Sequence, residues 1–238
     1  MSLQKGVLDK NYAWARKRKP ELIFRYRVRA ALIKTIMDRY LSGHRDLQIL
    51  DFGSAEGLTL LQLCKYFPNA HFTGVEYSRE LLQTAPPLPS NIHLCQGDIS
   101  NLDDKIRSKK YDLVTALAVL EHLETPEKAL QTAHSVLKPG GLFVATVPSP
   151  LWDQIATRLG LLQDHHESSL NKKSLRELFI RSGYKGAEYG RFMWAPVSAL
   201  PYLHISVSPV ASLKIDAFIY KLWVLNWLYV NQFIIAKR

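Results

Sequence analysis

From Gln48 onward the chain alternates short apolar runs with amphipathic stretches, the pattern of parallel β-α-β units. Five runs predict strands: Gln48–Phe52, Phe72–Glu76, Ile92–Gln96, Tyr111–Ala116 and Leu142–Val147. Each is apolar and bounded by polar or turn residues, as a strand buried on both faces should be. Between them the 3.6-residue period predicts helices that include Thr59–Tyr66 and Pro126–Leu137. Lys138-Pro139-Gly140-Gly141 reads as a helix stop followed by a turn. Asn171 is placed to cap a helix over Lys172–Ser182 that Gly183 ends, and two later strands fall near Ala187–Phe192 and Asn231–Lys237. The fold class is therefore α/β, a doubly wound sheet in one domain.

Two segments stand outside this alternation. Residues 1–44 form an N-terminal helical cap, in which Pro20 fits a first helical position and Ala30, Ile33, Met37 and Leu41 recur at helical spacing. Arg25 and Arg29 lie on another face of that helix. The second segment, Met193–Val230, is a long apolar insertion carrying Trp194, Tyr202, Tyr220, Trp223, Trp227 and Tyr229. Pro209 could open a helix running to about Tyr229, interrupted by Lys214, Asp216, Lys221 and Asn226 too often for a membrane span. Aromatics with scattered polar residues suit a lid over an acceptor pocket or a helix at a bilayer surface. A helix pair packed on the sheet edge is the plainer alternative.

With 238 residues, 47% of them apolar and 22% charged, the chain suffices for one well-buried α/β domain. No secretory signal is read in Met1–Pro20, and no uncharged apolar stretch of about 18 residues predicts a spanning helix. Cys64 and Cys95 stand at no metal or redox spacing and read as free thiols in a reducing, cytoplasmic setting. The formal charge of +10 is uneven: +8 over residues 1–35, +7 over 171–238, and −5 between. Basic ends around an acidic centre suit an anionic surface or substrate, or a solvated basic face.

The chemistry-bearing residues cluster at strand ends. The first strand leads through Leu50-Asp51-Phe52-Gly53-Ser54-Ala55-Glu56-Gly57 into a helix. Glycines in such a turn let a ligand approach the backbone. Gly53 and Gly57 are four apart, unlike a dinucleotide-binding G-x-G-x-x-G, and Asp51 would repel a pyrophosphate while suiting a ligand with an amino group and a sulfonium. Glu76 closes the second strand 25 residues after Asp51 and can accept both hydrogens of a ribose diol. After the third strand, Asp98 could accept from an adenine amine while Ile99 packs on the ring. Three acids at three successive strand ends line the crevice where open α/β sheets bind ligands.

These residues resemble class I S-adenosylmethionine-dependent methyltransferases, in the broad group of ubiquinone-type and other small-molecule O-methyltransferases. The resemblance rests on Ile49–Gly57, Thr73–Ser78, Gly97-Asp98, Tyr111–Leu123 ending in Leu120-Glu121-His122-Leu123, Leu137–Val147 and His165–Tyr184, over roughly residues 45–190. It implies a Rossmann-like seven-stranded sheet whose last strand is antiparallel, with S-adenosyl-L-methionine as cofactor. It further implies that Gly53 and Gly57 approach the methionine part, Glu76 holds the ribose and Asp98 with Ile99 reads the adenine, with Tyr77 a further cofactor contact and Ala116 and Leu117 lining the same pocket. Ala55 departs from the family, which usually has Gly there; its methyl is expected to disfavour positive φ and to tune cofactor affinity without abolishing it.

Methyl transfer to a hydroxyl needs alignment and removal of a proton, which a nearby His can supply. His122, just past the fourth strand, is the first candidate; His165 and His166 are the second. His165-His166-Glu167 is not read as a metal site, since adjacent side chains diverge. The expected acceptor is a small, hydrophobic or lipid- or glycan-linked molecule, met in the cytoplasm or at a membrane periphery. An RNA acceptor follows from the basic ends as the alternative, although the Ala116–His122 stretch lacks the Asn/Asp-Pro-Pro-aromatic turn of exocyclic-amine methyltransferases. A cofactor-binding regulator without turnover is the third reading.

Overall fold

In the computed structural model, which describes residues 10–158 and 170–238, the alternation resolves into one sheet with helices on both faces. In chain order the elements are α1 (Lys10–Arg18), α2 (Pro20–Tyr40), β1 (Gln48–Phe52), α3 (Leu58–Tyr66), β2 (His71–Glu76), α4 (Arg79–Gln83) and β3 (Ile92–Gln96). Then come α5 (Asp104–Arg107), β4 (Tyr111–Leu117), a 3₁₀ turn Leu120–His122, α6 (Pro126–Val136), β5 (Leu137–Pro148) and α7 (Pro150–Arg158). The last third holds α8 (Lys172–Arg181), β6 (Ala187–Trp194), α9 (Ala195–Ala199), α10 (Pro209–Ile219) and β7 (Tyr229–Lys237).

The strands lie in the order β3-β2-β1-β4-β5-β7-β6. All neighbours are parallel except β7, which runs antiparallel between β5 and β6. The chain winds outward from β1 to β3, then returns to β4 on the other side of β1. That reversal opens a crevice at the carboxyl ends of β1 and β4.

Each sheet face buries its own core. On one side α6 and α8 set Leu130, Ala133, Val136, Leu175, Leu178 and Phe179 against Val114, Phe143 and Ala236. On the other α2 and α3 set Val28, Ile33, Met37, Leu60 and Leu63 against Ile49, Leu113 and Val144. Pro20 opens α2, and Asn171 caps α8 by accepting from the amides of Lys173 and Ser174.

Two expectations are revised. Lys138–Gly141 is not a turn outside the sheet: β5 already begins at Leu137, which pairs with Tyr111, and the ladder shifts register beyond it, with Gly140 at φ 78°. The helix opened by Pro209 ends at Ile219, followed by a 3₁₀ stretch Trp223–Leu228. A helix continued to Tyr229 would carry the chain ten residues, or about 15 Å, farther from the sheet, where Tyr229 must pair with Trp194. Arg29 of α2 is half-buried, with its Nε enclosed.

The insertion packs α10 on α2 and β6. Its anchor is Asp216, a buried carboxylate that accepts from the amides of Met193 (2.8 Å) and Trp194 (2.9 Å). Its outer side exposes Leu203, Phe218 and Trp223. Among the described residues no helix is long and apolar enough to cross a membrane.

Candidate active site

The loop after β1 is built from alternating backbone conformations. Gly53, Ala55 and Gly57 have φ of 69°, 49° and 81°. Glycine reaches this region freely; an Ala in it carries a local strain of about 1–3 kcal/mol that its surroundings must hold. The expectation that the Ala55 methyl would exclude positive φ is therefore overturned. Its side chain is enclosed with Ala13 of α1 and Leu81 of α4, and its amide donates to Glu76 Oε2 at 2.9 Å. At Gly53 a Cβ would lie 2.5 Å from the Val119 side chain, so the loop and the segment after β4 need glycine to approach.

Two carboxyls from neighbouring strands face this loop. Asp51, at the end of β1, is buried and accepts from Thr115 Oγ1 at 2.6 Å, its register partner on β4. Burial pushes its pKa up to about 7, against the pull of Thr115 and of Arg16. Glu76 accepts from the amides of Ala55 and Ser78 (2.8 Å), one on each oxygen, and burial raises it too. The Tyr77 amide also acts on this carboxyl, pulling its pKa down with the other two amides.

The other expected residues spread outward from that centre. Tyr77 is exposed, its carbonyl accepting from Gln96 Nε2 at 3.3 Å. Asp98 sits exposed past β3 and accepts from the amide of Ser100, while Ile99 is buried. Ala116 is fully enclosed in the α6–α8 core, whereas Leu117 is half-buried against the opposite one. His122 is half-buried in the 3₁₀ turn beyond β4. His165 and His166 lie outside the described residues.

The structure adds residues to which the sequence reading gave no role. Glu56, fully buried in the loop, meets Arg16 of α1 at 3.1 Å. Glu121 is buried beside His122; burial pushes it up to about 7, with His122 and Arg29 pulling down and Asp153 of α7 pushing up. Desolvation in turn lowers Arg29 below its ordinary value. Around the ends of β1, β2 and β4 stand the carboxyls of Asp51, Glu56, Glu76, Glu121 and Asp153, against the guanidinium groups of Arg16 and Arg29. Glu56 Oε1, Glu121 Oε2, Ser54 Oγ and Thr146 Oγ1 are enclosed without a hydrogen-bond partner among the described residues. Buried polar atoms are normally bonded, so this crevice fits a polar, cationic ligand carrying donors. No group of three or more metal-ligating side chains occurs among the described residues.

A family model described as "Methyltransferase domain" matches residues 43–189. A malonyl-[acyl-carrier protein] O-methyltransferase of Halalkalibacterium halodurans is 33% identical over 106 residues, which cover 43% of this chain and 39% of that protein. A ubiquinone biosynthesis O-methyltransferase of Colwellia psychrerythraea is 29% identical over 109 residues, 42% of each protein. These matches thus span less than half the length of either relative. A SAM-dependent methyltransferase of Archaeoglobus fulgidus superposes with a TM-score of 0.61 at 20% identity, over 97% of this chain and all of that one. The loop, the strand-end acids, the seven-stranded topology and the family match agree: the chain belongs to the class I S-adenosylmethionine-dependent methyltransferases.

Proposed function

We propose that this enzyme methylates a hydroxyl of a small hydrophobic or lipid- or glycan-linked acceptor. The observation that carries the reading is the excess of buried carboxyls over Arg16 and Arg29 at the crevice, which selects a cationic cofactor, with a histidine, His122, where the acceptor would enter. When bound, S-adenosylmethionine supplies an electrophilic methyl group. Asp51 would pair with the amino-acid ammonium, Glu76 with the ribose hydroxyls, and Asp98 with the adenine edge.

The chain's own residues then do two things. The Gly53–Gly57 loop would seat the cofactor in a fixed place, and aligning the acceptor with its methyl group can supply a large part of the rate. His122 takes the hydroxyl proton, with the neighbouring Glu121 stabilising the imidazolium that forms. The named O-methyltransferase relatives support oxygen as the acceptor atom. The exposed apolar side of the insertion suits a lid or a surface contact for a lipid-linked acceptor.

The test is incubation of purified protein with methyl-labelled cofactor and either a lipid extract, a panel of hydroxyl-bearing amphiphiles, or RNA, read by mass spectrometry. Label on a hydroxyl of the organic fraction supports the reading. Label in RNA, or no transfer at all despite cofactor binding, overturns it.

A further inference from the structure

Beyond β5, on the side away from the cofactor loop, lies a second concavity of about 640 Å³ between α7, α8 and the outer strands β6 and β7. Three of its cations come from α8 (Lys172, Lys173 and Arg176) and a fourth, Arg191, from β6. Among the described residues one carboxylate, Glu177, opposes them, at 3.9 Å from Lys173. The positions are built unevenly. Arg191 is fixed from behind, its Nε donating to Tyr189 Oη at 3.1 Å and a terminal nitrogen to the Asn226 carbonyl. Tyr189 is in turn locked onto the buried Gln232 at 2.7 Å, and Lys172 lies over its ring. Arg176 makes no hydrogen bond or ion pair within the described residues and is exposed.

The rest of the wall is apolar. Leu151 of α7, Ile180 of α8 and Trp227 line it, all more than 40% exposed. Trp227 belongs to the 3₁₀ stretch whose neighbour Trp223 is 80% exposed. Among the described residues, four cations against one carboxylate, beside a strip of open apolar side chains, complement a molecule with an anionic head and an apolar body. The first turn of α7 separates this cavity from the crevice: Leu151 lines the cavity, while Asp153 acts electrostatically on Glu121.

We propose that this cavity binds the phosphate or carboxylate head of an amphipathic molecule, with its apolar body along Leu151, Ile180 and Trp227. Taking that molecule to be the methyl acceptor, held by its far end, rests on the proposed function. Arg176 brings a guanidinium that has no acceptor among the described residues, and Arg191 one that is pre-positioned.

Dodecyl phosphate, dodecanol and inorganic phosphate, each titrated calorimetrically into the full chain, test the site. Dodecyl phosphate is expected to saturate, with the other two at least about tenfold weaker. A Lys172→Gln/Arg176→Gln variant should lose about tenfold or more for dodecyl phosphate and keep its S-adenosylhomocysteine affinity, which reports an intact fold. Sedimentation with phosphatidylglycerol vesicles identifies the source: loss of wild-type pelleting in the variant points to a bilayer headgroup, and ester binding without pelleting to a soluble ester. Equal dodecyl phosphate affinity in variant and wild type, or no saturable binding, overturns the site. Methyl transfer to a hydroxyl acceptor that survives such a failure leaves the proposed function standing. Conversely, ester binding with no transfer to any acceptor removes the function and leaves the site.

Discussion

Arg16 on α1 lies 3.1 Å from Glu56 in the loop after β1, with both side chains shielded from solvent. The pair joins the N-terminal cap to the turn that receives the cofactor, and Ala13 packs against Ala55 alongside it. Removing one member of a buried pair leaves the other charge uncompensated, at a cost of about 3–5 kcal/mol. Arg16→Ala should therefore lower thermal stability by roughly that amount. Arg16→Met combined with Glu56→Leu should be much closer to wild type, since no buried charge remains. Calorimetric melting of the two variants checks this; equal losses would show that the cost does not come from the charge left unpaired on Glu56.

Cofactor affinity should depend on pH through Asp51. In the free protein this carboxyl keeps its proton below pH about 7. A ligand presenting an ammonium group takes the ionised form, so binding below that pH must expel a proton. Affinity then falls as pH falls, approaching tenfold per unit well below the pKa. Above about pH 8 it should level off. S-adenosylhomocysteine titrations between pH 5.5 and 8.5 measure the profile, and Asp51→Asn should flatten it. A wild-type affinity independent of pH would contradict the assignment of Asp51 to the ammonium.

Asp216 fixes the insertion to the sheet through the amides of Met193 and Trp194. The strain at Met193, whose φ is 62°, is held by that contact. Asp216→Ala should cost about 1–3 kcal/mol for each buried amide left without a partner. Hydrogen exchange should show it as faster exchange over 193–230 than in wild type. Unchanged protection there would mean that apolar packing on α2 suffices.

His122→Ala should lower turnover on a hydroxyl acceptor by about 10²–10⁴-fold, the reach of general base catalysis, while cofactor affinity barely moves. Single-turnover rates with labelled cofactor separate the two. Full activity would transfer the role to another residue, with Glu121 the nearest buried carboxyl.

Much of this fold was legible because its central strands are buried on both faces and read as unbroken apolar runs. β1 and β3 have the bounds expected from the sequence, and the helices after β1 and β4 differ by a residue. The strand-end acids Asp51 and Glu76 were legible for the same reason, since a carboxylate closing a buried strand has few structural uses. What was not legible depends on distant partners. Nothing in the run Arg16-Lys17-Arg18-Lys19 marks the first as buried against Glu56, 40 residues on. Arg29 looks like one more cation on a basic helix until Glu121 is brought near it by the β4 turn. Ala55 reads as a residue that avoids positive φ, and only its packing on Ala13 and its amide bond to Glu76 hold it there. The end of α10 at Ile219 is set by the need of β7 to return to the sheet, which no local pattern records.

The central claim, that the crevice at the ends of β1 and β2 holds S-adenosylmethionine, is tested most directly by titrating S-adenosylhomocysteine into wild type and Glu76→Ala. Loss of hydrogen bonds to a charged group should weaken binding by about 1–3 kcal/mol, roughly five- to 150-fold, with circular dichroism unchanged. An affinity equal to wild type in a folded Glu76→Ala protein would contradict the claim and place the cofactor elsewhere.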